Sequence, residues 1–247
     1  MLQEKSTAGT VERGNLTYFP VVPGRIEFAR GVRRYLLENR PRVVAVELPS
    51  SLEPEYQKAL QRMPQMSVIF IPSESEDDDL SGTYLPVEPA DPFIEALRTA
   101  DEMGAQTVLL EPPTPDALRL TDLYPEPYAV ELIGMTKYVE AYRVHPQRRT
   151  PEIDTHAAAI AWKLQGTDPL ASICVVLSLK MLDPVLDAME TPQDEPFARR
   201  TSLFRRSQLF NLHPDCLGEV TSEAPYYQEL YEASRQDHDF PPLNRHH

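Results

Sequence analysis

Four charged positions in the first half of this sequence each follow an apolar run. Glu47 closes Val43-Val44-Ala45-Val46, Glu88 closes the run 84–87, Glu111 closes the run 107–110, and Arg25 stands after Pro23 and Gly24 at the end of the run 16–22. If those runs are parallel strands, their ends form one rim, and open α/β sheets bind ligands outside the carboxyl ends of their strands. Three carboxylates and a guanidinium gathered there could hold a divalent cation. They could instead divide acid and base roles, where their environments push their pKa values apart. Glu88 and Glu111 are equally open to a plainer reading as a solvated strand end or a helix cap, and Glu47, which ends the most apolar run before Leu48-Pro49, is less so. Glu27, two residues beyond Arg25, leaves three possibilities for the turn. Arg25 and Glu27 form a rim ion pair with Glu47 or hold an anionic substrate at a helix N-terminus, or they act as a structural bridge that fixes the turn.

Histidine adds one candidate. His156 flanks the inner face of an expected helix 152–164, formed by Ile153, Ala157, Ile160 and Leu164, and is either a packing residue or a ligand or base. His145 and His213 each precede a proline and read as helix-end or turn residues. The motifs HExxH, GxSxG and GxxxxGK[ST] are absent, so zincin, α/β-hydrolase and P-loop readings lack their signatures. Cys174 sits inside an apolar run and Cys216 follows His213-Pro214, which gives neither a disulfide framework nor a CxxC metal pair.

The elements that must position these residues are legible from periodicity. Strands are expected at 16–22, 43–48, 67–71, 84–87, 107–110 and 172–179, several of them apolar on both faces as a covered parallel sheet requires. Between them, residues 26–39 place Ala29, Val32 and Leu36 on one helical face with Arg30, Arg33 and Arg34 outside, and residues 92–103 turn Phe93, Ile94, Leu97 and Ala100 inward. Asp91-Pro92 and Thr150-Pro151 each read as an N-cap followed by proline at the first helical position. The alternation predicts an α/β fold: a mostly parallel open sheet with helices on both faces, over residues 1–190. Residues 191–247 read as a helical C-terminal extension, expected as the start of a further domain.

A chain of 247 residues with 41% hydrophobic content is long enough to bury a sizeable core. Its formal net charge of −14 speaks against general binding to nucleic acid or anionic membrane, which need Lys and Arg to meet phosphates. Residues 51–140 carry most of that charge, with 5 basic and 18 acidic side chains. The stretch 73–82, SESEDDDLSG, reads as a mobile acidic loop, and 199–214 is locally basic. No apolar run has the ~7–15 residues of a signal peptide at the N-terminus or the ~18 of a membrane span, so a cytoplasmic location is expected.

The block RPRVVAVELPSS, residues 40–51, resembles the acidic strand-end block of the TraB, Tiki and ChaN-like superfamily, which includes erythromycin esterase-like proteins. Residues 150–179, TPEIDTHAAAIAWKLQG and the strand ICVVLSL, resemble its later helix and strand, and the similarity spans roughly 16–190. The resemblance implies an α/β sheet and, as in several members, metal-dependent peptidase or hydrolase activity, with Glu47 and Asp154 on the family's acidic positions. Two histidine motifs of the family are replaced here, by Val22-Pro23-Gly24-Arg25 and by Leu177-Ser178-Leu179-Lys180-Met181. A site without those histidines suits a hard, oxygen-coordinated ion such as Mg2+ or Mn2+, or none.

Two functions follow as expectations. One is a hydrolase-like enzyme with a rebuilt site, in which Glu47 is base or metal ligand, Glu88 and Glu111 are supporting ligands and Arg25 holds substrate charge. The other is a catalytically silent interaction module that binds a protein partner or a missing C-terminal domain.

Overall fold

The computed structural model describes residues 9–72, 82–112, 124–145, 149–196 and 206–236. The acidic stretch 73–81, most of the basic stretch (197–205) and the end of the chain lie outside them. In chain order the elements are β1 (Val11–Arg13), β2 (Leu16–Val21), α1 (Ile26–Asn39), β3 (Val43–Pro49), α2 (Glu53–Leu60), β4 (Ser67–Pro72), β5 (Gly82–Val87), α3 (Pro92–Met103) and β6 (Gln106–Glu111). There follow α4 (Ala129–Ile133), α5 (Met135–Val144), α6 (Pro151–Gln165), β7 (Ile173–Ser178), α7 (Leu179–Ala188), β8 (Gln208–Asn211), α8 (Leu217–Val220) and α9 (Pro225–Gln236).

The main sheet runs β1-β2-β7-β3-β6. All its pairings are parallel except that of the edge strand β1 with β2. Val43, Val44, Ala45 and Val46 are all buried, as an interior strand covered on both faces demands. The steps β2 to β3 and β3 to β6 advance across the sheet in one direction, and β6 to β7 returns. Right-handed crossovers therefore place the connecting helices on opposite faces. In keeping with this, α1 packs with α3, and α6 packs with α7.

Local chemistry fixes the helix starts. The Asp91 side chain accepts from the backbone N–H of Phe93 at 2.8 Å and of Ile94 at 3.1 Å, and Thr150 accepts from Ile153 N–H, each with proline at the first helical position. Gly104, with φ +69°, closes α3 in the left-handed conformation that glycine adopts freely.

The expected single sheet is corrected on one point. β4 and β5 leave it and pair antiparallel, with β8 on the other side of β4, in a second sheet of order β5-β4-β8. The reason is the connection 73–81, which is shorter than the dozen or more residues that a parallel crossover needs. Ile69, Leu85 and Leu209 of this sheet face the common core. The described part of the C-terminal region packs on the same body: β8 completes the second sheet, and Tyr231 of α9 is buried against Ile26, Ala29 and Ala90. Among the described residues no helix is long and apolar enough to cross a membrane.

Candidate functional site

β3 lies between β7 and β6. The chain leaves β3 toward the α1 and α3 face, whereas it leaves β7 and β6 toward the α6 and α7 face. The end of β3 is thus a topological switch point, where open α/β sheets form a crevice. Glu47 stands there, 7% exposed. Its carboxylate is clamped by the end of β7: Ser178 N–H donates to Oε2 at 2.5 Å, and Ser178 Oγ donates to Oε1 at 3.0 Å.

Glu111, at the end of β6, and His156, on the inward face of α6, complete the group. One donor atom from each of Glu47, Glu111 and His156 lies within 4.8 Å of the other two. His156 Nε2 is 3.8 Å from Glu111 Oε1, too far for a hydrogen bond, and this buried nitrogen has no hydrogen-bond partner. Burial pulls the His156 pKa down to about 4, so the ring is neutral at pH 7 and keeps a lone pair available. Burial holds the Glu111 carboxyl well above the usual carboxylate range. The charge of Glu47 adds to this, and Lys163 works against it. The Lys163 ammonium donates to the carbonyl oxygens of Leu109, at 2.9 Å, and Glu111, which caps the outer edge of β6.

These donors fit a divalent cation. Ligands about 2.0–2.2 Å from one ion stand about 3–4.5 Å apart, within the span of the three groups. An unpartnered buried imidazole nitrogen beside two carboxylates calls for a partner, and a metal ion would supply one. One nitrogen with two oxygens favours a borderline ion such as Zn2+ over Mg2+.

The other anticipated residues lie elsewhere. Glu88 directly follows β5 of the second sheet. Both its oxygens accept from Ser222 N–H, at 3.0 and 3.1 Å, and Gln228 Nε2 also donates to it. Burial raises its pKa to about 7, and Ser222 and Glu223 N–H groups work against that rise. Arg25 faces Glu223, with Nη1 3.7 Å from its carboxylate, and not Glu47. Glu27 is buried in the first turn of α1. Asp154 is on the exposed side of α6 and accepts from Arg149 Nε at 2.6 Å. Sequence reasoning missed Ser178 as the residue that orients Glu47. The signal was present, a hydroxyl ending the apolar run Ile173-Cys174-Val175-Val176-Leu177 beside the strand of Glu47.

Fold and site together define a class: a mixed α/β protein with a mostly parallel sheet and a carboxylate–histidine cluster at its rim. Comparisons with known protein families, curated proteins and solved structures find no match to this chain.

Proposed function

We propose that the protein is a metal-dependent, hydrolase-like enzyme whose centre is Glu47, Glu111 and His156, a rebuilt version of the site implied by the resemblance to the TraB, Tiki and ChaN-like superfamily. The observation that carries this reading is the buried, unpartnered Nε2 of His156, 5% exposed, facing Glu111 beside Glu47. Burial, with the charge of Glu47 adding to it, disfavours the ionised form of Glu111, and a cation relieves that conflict. Ser178 orients Glu47 through two hydrogen bonds, the kind of support that fixes a metal ligand. His156 contributes a neutral nitrogen donor, and the burial of His156 and Glu47 keeps water scarce. When bound, a divalent ion would polarise a carbonyl or phosphoryl oxygen and lower the pKa of a coordinated water.

The test is titration calorimetry of the chelator-treated protein with Mn2+ and Zn2+, followed by ester and peptide hydrolysis assays on the loaded form. Saturable binding near one ion per chain, lost in Glu47→Gln and His156→Ala, supports the reading. Binding that neither substitution alters would overturn it and leave the interaction-module alternative.

A further inference from the structure

The turn at the carboxyl end of β2 is covered by the chain's own C-terminal region. Gly24, at φ +66°, touches Ser222 so closely that a Cβ there would fall 2.4 Å from Ser222 Cβ. The covering segment, residues 221–228, is fastened by groups other than Arg25. Ser222 N–H donates to both oxygens of Glu88, Gln228 Nε2 donates to Glu88, and Ala90 N–H donates to Gln228 Oε1 at 2.8 Å. Within that segment Glu223 brings its carboxylate, 3% exposed, to 3.7 Å from the Arg25 guanidinium. Arg25 itself is 32% exposed and immediately precedes the positive end of α1.

A carboxylate desolvated to that degree is costly to bury, and the segment is already held by backbone and amide hydrogen bonds. Its place is also distinctive. Arg25 follows β2 at the carboxyl ends of the parallel strands, the end at which such sheets take ligands. β2 and β3 are separated by β7 alone, which puts the two strand ends about 10 Å apart. We propose that residues 221–228 form an intramolecular strap whose Glu223 occupies an anion subsite at Arg25, and that this subsite serves a carboxylate-bearing ligand which displaces the strap. The proposal deepens the enzymatic reading by naming a substrate feature: a carboxylate held at the turn that follows β2, on the same rim of the sheet as Glu47.

Succinate is the probe, and the chelator-treated full chain is the protein, so that the outcome is independent of whether Glu47, Glu111 and His156 bind metal. Hydrogen exchange of the backbone amides in 221–228 is followed as succinate rises at constant ionic strength, which needs no variant. Exchange there increases with succinate and saturates. Glu223→Gln, which removes the internal competitor, tightens succinate binding roughly tenfold, as expected where the open form is a tenth of the population. Because Arg25→Gln alone leaves Glu223 buried without its cation, the control is Arg25→Gln with Glu223→Gln. That double variant remains folded by thermal unfolding and loses succinate binding. Unchanged exchange in 221–228, no tightening in Glu223→Gln, or full binding by the double variant would each overturn the proposal.

Discussion

His156 Nε2 and Glu111 Oε1 face one another at 3.8 Å across the gap between α6 and the end of β6, a separation that leaves the nitrogen without a hydrogen bond. That distance is too long for a satisfied pair and suits two ligands of one ion. A nitrogen donor sets the metal preference, since imidazole suits Zn2+ whereas Mg2+ keeps to oxygen ligands. Wild-type protein should bind Zn2+ at least about tenfold more tightly than Mg2+, and His156→Asn should remove most of that preference by weakening Zn2+. Competition titrations read this directly. A preference that survives His156→Asn places the nitrogen outside the coordination sphere.

Glu88 gives a pH dependence of definite sign. Burial raises its carboxyl from 4.5 to about 7, the nearby charge of Asp91 adding to it. The folded state therefore holds the proton more tightly than the unfolded chain does. The stabilisation is fully present below pH 4.5 and is lost as pH rises through about 7, up to about 3 kcal/mol in all. Asp91, which caps α3 and also accepts from Gly24 N–H, is raised by burial in the same direction. The difference between wild type and Glu88→Gln isolates Glu88. Urea unfolding across this range should show wild type losing stability relative to the variant as pH increases, and parallel curves would contradict the assignment.

How far the sequence carried this picture depends on range. β3 was legible because four consecutive apolar residues require cover on both faces, and Glu47 and Glu111 were legible because each ends such a run. The partner sheet of a strand is not written in its own residues: β5 runs into Glu88 much as β6 runs into Glu111, yet it pairs with β4 in the other sheet. β8 was invisible, four residues with an exposed or half-exposed pattern that pair only because β4 offers an edge. The meeting of His156 with Glu111 and the clamp of Ser178 on Glu47 are long-range contacts that only the topology creates.

The third prediction concerns the clamp between α1, α3 and α9. Glu95 is fully buried and accepts from Arg235 Nε at 2.8 Å and Nη2 at 3.0 Å, from Arg33 Nη1 at 3.3 Å and from Thr99 Oγ1 at 2.5 Å. Removing one partner of a buried charge network costs more than the network contributes net, because the remaining charges lose their compensation. Glu95→Ala should lower stability by about 3–5 kcal/mol in urea unfolding and raise hydrogen exchange in α9. A loss under about 1 kcal/mol, the scale of a surface pair, would show that water replaces the carboxylate at little cost.

The last prediction separates orientation from ligation at the proposed centre. Ser178 touches Glu47 twice, once through its backbone N–H and once through its hydroxyl, so Ser178→Ala removes only the second contact and leaves the strand end in place. If Glu47 is a metal ligand, freeing one oxygen from the hydroxyl lets the carboxylate rotate. Mn2+ affinity should then fall by about tenfold, the lower end of what loss of a supporting group costs a metal site. The fold should be little changed, since the retained N–H bond still satisfies the carboxylate in part and the buried hydroxyl gives way to a methyl-sized group. Ser178→Thr keeps the hydroxyl and should restore most of the affinity if the added methyl is accommodated. Were Glu47 merely a structural acid, Ser178→Ala would lower the unfolding midpoint by about 1 kcal/mol or more and leave Mn2+ binding unchanged. Calorimetric Mn2+ affinity and urea midpoint, measured on the same two variants, therefore move in opposite patterns under the two roles.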